Sequence, residues 1–122
     1  MPDQDSGPAP LRVLFCIGVT QDFCALAAAE FGPLGGAITA AFDDLAGRFG
    51  VTVLGTMDDD QLMMGESARW PFTCYVLADV PDLETVIAVT NIVREVEYGD
   101  SLLWRYLRVE ARVGRQLFFA NS

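Results

Sequence analysis

Four short apolar runs of strand character punctuate the chain, and what separates them is the strongest constraint on its fold. Arg12–Val19 (RVLFCIGV), Val51–Met57 (VTVLGTM), Arg69–Ala78 (RWPFTCYVLA) and Ser101–Val113 are rich in β-branched and aromatic residues. Helical patterns lie between the first two. Gln21–Phe31 is Ala-rich, with Thr20 as its cap and Gly32-Pro33 as its expected end. Leu34, Ile38, Ala41, Phe42, Leu45 and Phe49 then recur at spacings of three and four, with Asp43, Asp44 and Arg48 on the wet side and Gly50 as the stop. Only a polar connection beginning at Asp58-Asp59-Asp60 joins the second run to the third, where Pro71 marks an edge position or a bulge. Asp82 caps a helix expected from Leu83 to about Val96. The β-branched VIAVTNIV segment makes a strand the rival reading there, but length and cap favour the helix. Tyr98-Gly99-Asp100 turns the chain into the fourth run.

The resulting order, β-α-β-β-α-β, is the split βαβ of a ferredoxin-like α+β sandwich. Residues 1–10 (MPDQDSGPAP) read as a flexible tail and 11–122 as one domain with an antiparallel four-stranded sheet. Both crossovers are expected to return to a parallel neighbour, which places the helices on one face by the right-handed rule. The other face is left bare. If apolar it must be hidden, and a second copy pairing sheet to sheet would hide it.

Strand alternation says what that face carries: Leu14 and Cys16, Leu54 and Thr56, Thr73, Tyr75 and Leu77, and Trp104, Tyr106, Arg108 and Glu110, with a parity slip anticipated at Pro71. In the last strand Leu103, Arg105, Leu107, Val109 and Ala111 fall on the opposite, core-like side. The aromatic and charged side suits an interface or a ligand cavity. As a site, Tyr106 would donate a proton or hydrogen bond, and Arg108 would hold a carboxylate. Trp104 would stack on a ring, Tyr75, Thr73 and Leu54 would line the pocket, and Glu110 would be the carboxylate for proton transfer. The plainer reading is a dimer interface of ordinary aromatic and Arg content.

Composition removes several chemistries. There is no His and no Lys, and all eight basic residues are Arg. His general bases, Ser-His triads, His-ligated haem and Lys Schiff bases are therefore absent. A formal net charge of −9 argues against nucleic-acid binding. Cys16, Cys24 and Cys74 lack metal-ligand or disulfide spacing, and Cys16 and Cys74 sit in apolar runs as small buried hydrophobes. Asp58-Asp59-Asp60 lacks the alternation of a calcium loop and reads as a solvated turn, so neither a metal nor another cofactor is expected. Glu66 and Arg69 form a surface pair around Trp70, and Met57, Met63 and Met64 are packing residues. Leu117-Phe118-Phe119 is too apolar for a free tail and is expected to pack on a partner or to close the barrel end. No stretch resembles a signal peptide or a membrane span, and a cytoplasmic protein without membrane partners is expected.

With element order and strand pattern in place, residues 11–119 resemble the dimeric α/β-barrel superfamily. LGTMDDDQLMMGES, RWPFTCYVLADVPDLETVIAVTNIVRE and GDSLLWRYLRVEARVGRQLFF look like a small-protein family of indole-3-acetate and related aromatic-degradation clusters. The resemblance implies a homodimer that binds a small aromatic or carboxylated ligand and acts as a cofactor-independent monooxygenase or isomerase-like enzyme. The alternative is a non-catalytic accessory protein whose sheet face only makes the dimer. The missing His departs from the haem-binding members.

Overall fold

The computed structural model describes residues 9–62, 64–65 and 70–120. Most of the expected N-terminal tail, Met63, and the Glu66 and Arg69 pair lie outside the described residues. The main sheet has four strands, β1 (Leu11–Val19), β2 (Thr52–Asp58), β3 (Cys74–Val80) and, after a small hairpin of β4 (Glu97–Tyr98) and β5 (Ser101–Leu102), β6 (Leu107–Gly114). Their order is β2-β3-β1-β6 and every pairing is antiparallel. This is ferredoxin-like topology with helices packed on one face. Each crossover does return to a strand running the same way, but it jumps over one strand. The parallel neighbours expected above are therefore replaced by antiparallel ones.

The helices depart from the expected pattern at their breaks. Thr20 caps α1 (Gln21–Cys24), its hydroxyl accepting from the Phe23 amide at 3.3 Å. The chain then breaks at Ala25–Ala27, and α2 (Ala28–Ala41) runs straight through Gly32-Pro33. Glu30 steadies its start by accepting from the Ala27 amide at 3.1 Å. Pro33 forfeits one intrahelical bond. The helix persists because Leu34, the next residue, is fully buried in the core. The second helical pattern is likewise cut. Asp44 takes a left-handed conformation (φ 49°) and caps α3 (Leu45–Phe49) by accepting from the Gly47 amide at 3.0 Å. Gly50 ends it, also left-handed at φ 70°.

On the other crossover, Asp82 caps α4 (Leu83–Thr90), its carboxylate accepting from the Thr85 amide at 2.8 Å and the Thr85 hydroxyl at 2.7 Å. After a break at Asn91, α5 (Ile92–Glu95) completes the expected helix. The Thr85 hydroxyl and then its amide hold the Asp82 carboxyl below its ordinary range. A depressed folded-state pKa means stability that is present above the unfolded pKa and lost as pH falls through the folded one. Asp82→Ala is therefore expected to lower the thermal midpoint by a few degrees at neutral pH. The difference from the parent should close as pH drops below the carboxylate range. Asp82→Asn should keep most of the cap without that pH dependence. Thermal unfolding at neutral and acid pH measures both, and a pH-independent difference for Asp82→Ala contradicts the assignment.

The core lies between sheet and helices. Val13, Phe15, Ala78 and Val80 of the sheet meet Leu34, Val86, Val89 and Ile92 of the helices, all nearly or fully buried. The fourth expected strand is shorter than predicted. Leu103–Arg105 form a 3₁₀ turn and the strand starts only at Leu107. The third also starts late, at Cys74, because Phe72 is turned into the core (3% exposed) and Pro71 has no amide to donate. The register slips not at Pro71, where it was expected, but in β2 at a bulge: Val53 pairs with Ala78 and Gly55 with Leu77, leaving Leu54 as the extra residue. After the bulge Thr56 is registered opposite Val76 and Met57 opposite Tyr75.

Candidate functional site

The register shows what the helix-free face carries. Cys16 lies between Tyr75 and Glu110, Leu14 between Leu77 and Arg112, and Gly18 beside Arg108. Trp70, just ahead of β3, reaches over this face. Its indole N–H donates to the Tyr75 hydroxyl at 2.6 Å, and the Arg112 guanidinium lies 5.9 Å from its ring centroid. Tyr75 in turn donates to Asp59 at 3.0 Å, with the Phe72 carbonyl at 3.2 Å as a second acceptor. Arg112 lies 3.7 Å from Glu110. These groups form a polar and aromatic roof. Cys16 is fully buried on a face that no helix covers, so its roof is made of these flanking side chains.

Two titrations follow from this arrangement. Burial pushes the Cys16 thiol up, against a smaller downward pull from Arg112 and with a further upward push from Glu110. A buried thiol of that kind is unreactive at neutral pH. For Tyr75 the Trp70 hydrogen bond is the largest influence and lowers the phenol. Desolvation and Asp59 outweigh it, and the net direction is up. Outside the roof, the Asp60 carboxyl is raised by a side-chain hydrogen bond with Asp58 and by the Asp58 charge. Among the described residues no group of three or more His, Cys, Asp or Glu is placed to hold a metal ion.

Beyond the roof the face becomes an open apolar groove of about 470 Å³ lined by Leu14, Gly55, Thr56, Met57, Trp70, Tyr75 and Leu77. A second, more enclosed cleft of about 340 Å³ lies at the outer edge of β6, where Leu107, Arg108, Val109 and Glu110 meet Thr90, Val93 and Arg94 of α4–α5, Thr20 and Trp104. The Thr20 hydroxyl donates to the Arg105 carbonyl at 2.6 Å. That of Thr90 is turned to the Val86 and Ile87 carbonyls at 3.1 and 2.9 Å. The charged donors left for a ligand are the guanidiniums of Arg94 and Arg108, and no ion pair among the described residues engages either of them. Arg94 lies 5.9 Å from the Trp104 ring centroid, and that ring is 56% exposed.

The residues expected to act together are thus divided. Trp104, Arg108 and Glu110 share the edge cleft. Tyr75 belongs to the roof and groove, Thr73 is exposed just before β3, and Leu54 occupies the bulge. Tyr106 leaves the predicted face altogether. It ends the 3₁₀ turn in a helical conformation, is 8% exposed, and packs its ring edge-on to Tyr98 at 5.9 Å. Alternation requires extended backbone, and the turn removes it. Arg94 and Trp70 were not singled out from the sequence. Arg94 comes from a helix on the other side of the sheet edge, which strand alternation does not reach.

Comparison of the chain with protein-family models, with curated proteins and with solved structures found no match in any of the three. The resemblance to dimeric α/β barrels and to aromatic-degradation proteins is corrected on that ground. The geometry agrees with the correction: the sheet is open, with β2 and β6 as unpaired edges rather than strands of a closed barrel. No helix among the described residues is long and apolar enough to cross a membrane.

Proposed function

We propose that this domain binds a small organic anion with a flat apolar body in the cleft at the β6 edge. The observation that carries this reading is the pairing, in one concavity, of the exposed Trp104 ring with the Arg94 and Arg108 guanidiniums, neither of which meets a carboxylate partner among the described residues. They suit a carboxylate, which a guanidinium holds bidentately, while the ring or alkyl body lies on Trp104 and the Val93, Leu107 and Val109 wall. Glu110 at the same cleft is the carboxylate available for proton transfer should the ligand be turned over. Three free thiols and no disulfide suit a reducing compartment such as the cytoplasm.

Calorimetric titration with benzoate and phenylacetate, each beside its primary amide, tests the reading. The acids should bind and the amides should not. Arg94→Ala and Arg108→Ala should each weaken binding by at least about tenfold, the scale of one lost charge-assisted hydrogen bond. Tyr106→Phe should leave affinity unchanged, since Tyr106 does not line the cleft. Equal binding of acids and amides, or indifference to both Arg substitutions, would reject the site.

A second reading, a non-catalytic interaction protein that dimerises through the helix-free face, has its own observation. Met57 (58% exposed), Leu77, Trp70 and Leu54 leave a contiguous apolar surface on and beside the groove. An apolar sheet face of this kind is ordinarily covered.

A further inference from the structure

We propose that the C-terminal segment Arg115–Phe119 of one copy seats in the apolar groove of a second copy, reciprocally, to form a twofold dimer. The proposal deepens the dimer reading by naming what fills the groove. Leu117, Phe118 and Phe119 follow β6 without packing into the core, and Phe118 is 93% exposed. The two rings pack edge to face on each other at 4.8 Å and form a compact apolar plug. The same molecule carries an unfilled groove walled by Leu14, Met57, Trp70 and Leu77. No residue of the tail lines that groove in its own chain.

Charge also matches across the proposed contact. The tail opens with Arg115, and Met57 is followed by Asp58, Asp59 and Asp60. A cation entering beside three carboxylates offsets part of the repulsion between two acidic copies. Seating the exposed Phe118 ring in the groove of a second copy removes apolar surface of both copies from water.

Sedimentation velocity of the full chain over a wide concentration range is the test. It should be run on the parent, a tail variant (Phe118→Ser with Phe119→Ser) and a groove variant (Met57→Asp). All substituted positions are exposed, and circular dichroism checks that each variant is folded. The parent should dimerise, and each variant should dimerise at least about a hundredfold more weakly, the scale of lost interface anchors. Mixing the two variants should restore a heterodimer through the one intact tail-and-groove contact. A parent that stays monomeric overturns both this proposal and the dimer reading. A tail variant that dimerises like the parent overturns the tail contact alone and leaves a dimer made by the sheet face. Loss of the dimer in the tail variant but not in the groove variant also overturns it, because the tail then docks elsewhere.

Discussion

Replacing Leu103 by alanine is expected to destabilise the protein by about 3 kcal/mol, within the range for truncating a buried leucine. For a chain of this size that corresponds to a fall of roughly 10 °C in the thermal midpoint. Leu103 is fully buried and opens the 3₁₀ turn. Its amide donates to the Val96 carbonyl at 2.9 Å, and its carbonyl accepts from the Tyr106 amide at 2.8 Å. The side chain is thus the anchor that fixes the turn against the core. Trp104 is carried on the same turn, so the substitution should also weaken anion binding at the β6 edge beyond what lost stability explains. Urea denaturation gives the first quantity, and titration at a temperature where the variant is fully folded gives the second. A loss below about 1 kcal/mol would mean that the turn is held by its backbone bonds alone.

Gly18→Ala is the second large effect. Nothing unusual in the backbone requires glycine there; the space does. A Cβ would overlap the Pro71 carbonyl oxygen, with its carbon at 3.0 Å and the Phe72 Cα at 3.3 Å. These are backbone atoms that cannot rotate aside. They are also tethered, since the Thr73 amide donates to the Ile17 carbonyl at 2.9 Å. The segment must shift as a unit, at a cost of about 2–3 kcal/mol by analogy with overpacked cores. Trp70 adjoins Pro71, so its hydrogen bond to Tyr75 and its stacking with Arg112 move with it. The roof over Cys16 should then open. Thiol titration should show one more fast-reacting thiol than in the parent, where Cys24 is exposed and Cys16 buried. An unchanged unfolding midpoint together with an unchanged thiol count would show that Pro71–Phe72 yields freely.

Much of the fold was legible because its signals are local. The Asp82 cap, the Gly50 stop, the turn at Gly99 and the alternation Arg108, Glu110, Arg112 each depend on a few neighbouring residues. What was not legible depends on the tertiary environment. Leu102-Leu103-Trp104-Arg105-Tyr106 has strand composition, yet Leu103 and Tyr106 are both buried three residues apart, a turn spacing rather than a strand spacing. Pro33 reads as a helix end until the burial of Leu34 is known. Gly55 hinted at the bulge, because glycine inside a strand often marks one. Of the candidate site, period-two alternation placed Arg108 and Glu110 on one face. Their companions Trp104 and Arg94 come from a turn and a helix, and no sequence period links them.

Side-by-side growth of this sheet is discouraged where it would otherwise be easiest. β2 is an outer strand exposed along its whole length, the kind of border that recruits further strands into fibres. The extra residue at Leu54 throws its hydrogen-bonding rhythm out of step midway, and the strand runs out into Asp58 and the two carboxylates after it. A neighbour laid along that border would lose bonds at the kink and meet like charge at the end. The apolar face can therefore lie beside this border without the border itself serving as a template for further strands.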